Sequence, residues 1–194
     1  MTQFERLQDF IFDKLRKELP AHLSYHNTGH TKNVMRAAEF LAAAEGISEK
    51  DHKLLQAAAL LHDTGFLVKR DGHEEISCDI ACSYLPQYGY TPADIDTICD
   101  LIMATRLPQS PQTKLAEILA DADLDYLGRE DFFPLSEKLF IELKNEGLVK
   151  DEDEWNRQQA DFMGGHTYFT QTAVNLRQPR KEAYVELIKL KIPA

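Results

Sequence analysis

Three clusters of ionisable residues stand where this chain should be apolar. The run AAALL ends in His62-Asp63, so an imidazole and a carboxylate arrive together at the end of a buried helical stretch. Burying either without a partner costs several kcal/mol, so each must be paired or bound to a cation. The second cluster is Tyr25-His26-Asn27-Thr28-Gly29-His30. His26 and His30 are four apart, which places them on one face of a helix. Ala37, Ala38 and Leu41 fall within roughly 60° of that direction, so the face looks inward. The third is DADLDYLG, residues 121–128, on the apolar face set by Leu115, Ile118, Leu119 and Ala122. Of Asp121, Asp123 and Asp125, two are expected to be surface acids or caps. Imidazole and carboxylate together form a mixed nitrogen and oxygen donor set, which suits a divalent transition metal.

Helices must position these residues. Phe4, Leu7, Ile11 and Leu15 predict a first amphipathic helix running to about Pro20. A second is expected from near Tyr25 to Gly46, and a third from the Ser48 cap, with Asp51 at N3, to the break in HDTGF. Val68 to Gly72 reads as a loop and Glu74 to Leu85 as the fourth helix. Thr91, Pro92 and Asp94 announce a fifth, to about Thr105. Leu115 to Leu127, Phe132 to Asn145 and Glu154 to Phe162 are the next three, before a closing segment from Thr167 to Lys191. Gly164-Gly165 reads as the turn that opens it. No segment alternates with period two between hairpin turns, so the expected class is all-α. We read residues 1–194 as a single domain: one helical bundle with its core over 21–130 and a C-terminal helical extension over 131–194 packed on it.

Composition narrows the function. A net charge of −10 argues against nucleic acid or an anionic membrane as partner, because both need excess Lys and Arg. Cys78, Cys82 and Cys99 form no CxxC pair, and Cys78 and Cys82 read as small buried residues. With no apolar signal core or membrane-length apolar run, a cytoplasmic location is expected. A phosphate ester as substrate of so acidic a chain would need a local positive charge, and a bound cation supplies one.

His30, then His62-Asp63, then Asp123 resembles the H…HD…D pattern of the HD superfamily, and the YHNxxH element is similar to that of cyclic-nucleotide phosphodiesterases. The resemblance spans roughly Tyr25 to Leu127. It implies a metal site of His30, His62, Asp63 and Asp123, the last chosen because the second acid of DxD is the usual ligand. It further implies a phosphohydrolase acting on a phosphate monoester or diester of a nucleotide or small metabolite. The divalent ion would be Mn, Fe, Ni, Co, Zn or Mg, acidifying a water and polarising a phosphoryl oxygen. His26 and Asp63 are the expected catalytic residues, His26 as acid toward the leaving oxygen or else as a neighbour that orients others. His73 and Arg106, and also Lys69 and His166, are the expected substrate contacts; Arg70 beside Lys69 is also able to reach substrate phosphate, the alternative for that pair being solvation. Thr105 stands where two-metal relatives carry a second His, so one ion is expected and two is the alternative. The segment GGHTYFTQTAVNLR is similar to HxYxT segments of bacterial HD proteins and implies a cover folded over the pocket; the alternative is aromatic packing of Tyr168 and Phe169. Competing readings are a silent regulatory module that binds metal or nucleotide, and an iron-dependent oxygenase. A homodimer is compatible with the sequence.

Overall fold

The computed structural model describes residues 1–192. Among them every regular element is helical: α1 (Gln3–Glu18), α2 (Thr28–Glu45), α3 (Glu49–Leu61), α4 (His73–Tyr84), α5 (Pro92–Met103), α6 (Lys114–Asp123), α7 (Phe132–Asn145), α8 (Glu152–Gly165) and α9 (Gln171–Lys189), with short 3-10 turns between some of them. The architecture is all-α, as the periodicity predicts.

Helix α3 is the axis. Every residue from Leu54 to Leu61 is buried, because α1, α2, α4, α5 and α6 all pack against it. A helix apolar on all sides is stable only inside such a ring of partners. The ends are specified locally. Ser48 caps α3 by accepting from the Asp51 N–H at 3.1 Å, and Thr91 with Asp94 forms a reciprocal capping box on α5. One apolar cluster runs from Leu7 through Leu55 and Ile118 to Phe132, Met163, Tyr168 and Ile188, so α7, α8 and α9 share the core of the first six helices.

Four expectations need correction. Helix α2 starts at Thr28, not near Tyr25, because the Asn27 side chain accepts from the Gly29 N–H and caps it there. His26 therefore precedes the helix and does not share a helical face with His30. The sixth helix stops at Asp123 rather than Leu127, and residues Asp125–Gly128 tighten into a 3-10 turn. Gly164 and Gly165 are the last residues of α8, not a turn. Cys82 is exposed and Cys78 is half-buried, so they are not the pair of buried residues expected.

The chain after α3 approaches α4 closely. Gly65 lies against the first turn of α4, where a Cβ would stand 1.9 Å from the His73 carbonyl oxygen. Its N–H donates to Ser77 Oγ at 2.8 Å, and that hydroxyl donates to the His62 carbonyl at 2.6 Å. Gly65→Ala must push α4 away from the end of α3. A loss of about 3 kcal/mol in stability is expected, read as a lower urea midpoint with an unchanged m-value.

Candidate metal centre and its cleft

Two helices end at one place. His62 is the residue after the last turn of α3, and Asp123 is the last residue of α6. Helix C-termini carry the negative end of the backbone dipole, so both ends favour a cation between them. His30, in the first turn of α2, completes the approach.

His30 Nε2 lies 3.1 Å from Asp123 Oδ1 and 3.3 Å from His62 Nε2. Asp63 Oδ2 is 3.2 Å from both Nε2 atoms, and His62 Nε2 is 3.3 Å from Asp123 Oδ1. Neighbouring ligands at about 2.1 Å from an octahedral ion are about 3.0 Å apart, so these donors are spaced as a coordination shell is. Two further observations fit an ion. Asp63 Oδ2 is buried and makes no hydrogen bond, being misaligned with the two nitrogens beside it. His62 Nδ1 donates to the Ala59 carbonyl at 2.9 Å, which turns the Nε2 lone pair toward the cluster.

Electrostatics make the same demand. Burial alone would lower the His30 pKa, but the Asp123 and Asp63 carboxylates raise it to about 9. His62 is likewise pushed up despite complete burial, chiefly by Asp63 and Asp123. Asp63 is held well below the usual carboxylate range against its own burial by His62 and His30. The space requires positive charge, as protons or as a cation. Among the described residues, His30, His62 and Asp123 form a group able to hold a metal ion, and Asp63 stands against it.

The centre opens onto a cleft of about 400 Å³. Of the residues expected from sequence, His26, His30, Asp63, His73, Thr105, Arg106 and Asp123 line it. His73 Nδ1 donates to the Arg70 carbonyl at 3.0 Å and its Nε2 is 3.4 Å from Asp63 Oδ1. Arg106 sits at the rim, half exposed and paired with Glu75. Thr105 is buried, its hydroxyl donating to the Ile102 carbonyl at 2.8 Å.

Two of the expected substrate contacts are not in the cleft. Lys69 is exposed and does not line it; its neighbour Arg70 does. His166 lies with buried Lys181, whose Nζ donates to the Met163 and His166 carbonyls, and no residue from His166 to Arg177 lines the cleft. The HTYFT segment is thus not a cover. Tyr168 is buried, while Phe169 is 37 % exposed. Asp121 and Asp125 are buried as well, not surface acids.

Glu142 and Phe66 are the residues that sequence reasoning missed. Glu142, on α7, is fully buried and accepts from the backbone N–H groups of Tyr25 at 2.7 Å and His26 at 3.0 Å. It also pairs with His26 Nδ1 and accepts from Arg70 Nη2 at 2.6 Å. Arg70 Nε reaches Glu146 one turn later. A signal existed: Glu142 follows Leu135 by seven and Leu139 by three, an acid on an apolar stripe. Phe66 of HDTGF stacks on His26 with ring centres 4.3 Å apart, touches His73 at the same distance, and carries the Arg70 guanidinium 5.0 Å from its ring centre.

Residues 28–125 match the family model of the HD domain. The chain belongs to the HD domain family. Two solved structures share its fold. One is a predicted HD superfamily hydrolase from an uncultured Thermotogales bacterium, 22 % identical over 93 % of this chain and 88 % of that one, with a TM-score of 0.63. The other is Bacillus subtilis YpgQ in complex with ADP, 22 % identical over 100 % of this chain and 98 % of that one, with a TM-score of 0.66. No curated protein matches the chain. Membership of the HD domain family supports a metal-dependent phosphohydrolase in general terms, and no helix among the described residues is long and apolar enough to cross a membrane.

Part of the acid response of this HD domain follows from Glu142. Burial would raise its pKa from 4.5, but bonds from His26 and the backbone N–H groups hold it down to about 2. A depressed carboxylate stabilises the fold above its unfolded pKa and loses that contribution as pH falls through the folded one. The urea midpoint of the wild type should therefore drop between about pH 4.5 and about pH 2. Glu142→Gln should show a shallower drop over the same window.

Proposed function

We propose that this HD domain hydrolyses a phosphate ester of a nucleotide, with a divalent ion held by His30, His62, Asp63 and Asp123. The single observation that carries this reading is the buried convergence of two Nε2 atoms and two carboxylate oxygens at the mouth of an open cleft. An ion there supplies Lewis acidity, acidifying a water and drawing charge from a phosphoryl oxygen.

The chain's own residues do the rest. Asp63 borders the cleft and orients the attacking water beside phosphorus. His26 delivers a proton to the leaving oxygen as the P–O bond breaks. Ionised Glu142 engages Nδ1 of His26, which leaves Nε2 for that transfer. His73 and Arg70 line the cleft, where they would steer phosphate oxygens, with Arg106 at the rim.

Three features support a nucleotide rather than a very small ester. The cleft volume of about 400 Å³ falls within the ordinary range for ligand pockets. Phe66, Leu139, Leu143 and Phe162 give its wall an apolar side for a base. The fold neighbour YpgQ is described in complex with ADP. Because His73 Nε2 lies 3.4 Å from Asp63 Oδ1, a second ion shared between them is the one variation the geometry favours.

The test is metal analysis followed by phosphate release from nucleoside mono-, di- and triphosphates with Mn added. His62→Ala and Asp123→Ala are expected to lose the ion and all measurable hydrolysis. His26→Ala should keep the ion and lose about 100-fold or more in kcat. Full metal content and full activity in His62→Ala would sink the reading. Tight nucleotide binding without any turnover by the metal-loaded wild type would favour the regulatory module instead.

A further inference from the structure

The C-terminal segment from Tyr168 to Arg177 takes no part in the cleft, yet it bonds to both sides of Asp123. Before Asp123, the Phe169 and Thr170 N–H groups donate to Asp121 Oδ1 and Oδ2 at 2.9 and 2.8 Å. The Thr170 hydroxyl adds a third bond to Oδ2 at 2.7 Å. After Asp123, the Tyr168 hydroxyl donates to the Leu124 carbonyl at 3.1 Å. Arg177 Nε then donates to Asp125 Oδ1 at 2.6 Å, with Nη2 at 3.5 Å from Oδ2. Gly128 closes the contact, since a Cβ there would stand 2.4 Å from the Arg177 carbonyl oxygen.

Position gives these bonds their meaning. Asp123 is the last residue of α6, where helices fray because the final carbonyls lack partners. A ligating carboxylate must be held within about 0.5 Å of its working position. Nothing in α6 alone provides that. The bonded groups are buried: Asp121 and Thr170 are 0 % exposed, Tyr168 4 % and Asp125 6 %. Such a network is costly to break and resists displacement.

We propose that Tyr168, Thr170 and Arg177 are positioning residues for metal binding, clamping residues 121–125 so that Asp123 meets His30 and His62. This rests on the metal reading given above. The HTYFT segment thus acts on the centre from behind rather than by covering substrate.

The experiment is equilibrium titration of the full-length protein with Mn against a competing chelator, at a temperature where circular dichroism shows every variant folded. Tyr168→Phe, Thr170→Val and Arg177→Gln are each expected to weaken the ion by about tenfold or more, as losses of groups that support a ligand do. Arg177→Lys, which keeps a cation for Asp125, should recover part of that loss. Arg180→Ala, on the same helix as Arg177, removes an exposed pair with Glu130 and should bind like wild type. A merely structural clamp would lower the unfolding temperature and leave Mn affinity unchanged; that result in all three variants overturns the proposal. A wild type that binds no Mn overturns the metal reading and the clamp together. A wild type that binds while His62→Ala does not keeps the first and isolates the second.

Discussion

Two imidazoles and two carboxylates share a space from which water is largely excluded, and the rest of the molecule is arranged around that fact. His62 is 0 % exposed and His30 8 %, so neither group can fall back on solvent. Carboxylates this close repel one another unless positive charge lies between them. The Asp123 and Asp63 carboxylates hold the His30 pKa up against its burial. A divalent ion satisfies the same demand with more charge and in a fixed shape. The cluster is therefore a group able to hold a metal ion, in a space that calls for positive charge.

The helices meet that demand by where they end. Helix α3 is apolar along its second half and delivers His62 and Asp63 only past its last turn. Helix α6 carries Asp123 as its last residue, and both helices continue into 3-10 turns. Each turn needs a glycine where another backbone comes close, Gly65 against α4 and Gly128 against α9. The metal-centre residues thus sit where helices end, beside the apolar core.

The C-terminal third contributes more than packing. Glu142 on α7 holds His26 and Arg70 in the cleft, while α9 and the residues before it hold the chain on both sides of Asp123. The family match covers residues 28–125, so both supports come from outside the matched region.

The sequence by itself determined the all-α class, the positions of most helices and the anomaly of His62-Asp63, because these depend on local periodicity, capping and the cost of burying charge. It could also single out Asp123 through resemblance to a family pattern. The local Asn27 cap leaves His26 outside α2, but only the tertiary structure decided that His26 pairs with Glu142. It likewise showed that Arg70, not Lys69, enters the cleft, and that His166 does not. Asp121 and Asp125 read as surface acids for the same reason: the partners that bury them, Thr170 and Arg177, lie some fifty residues away in sequence. A residue's own spacing reports which face of its helix it occupies. What that face meets is set by chain that folds back from far away, and no local pattern encodes it.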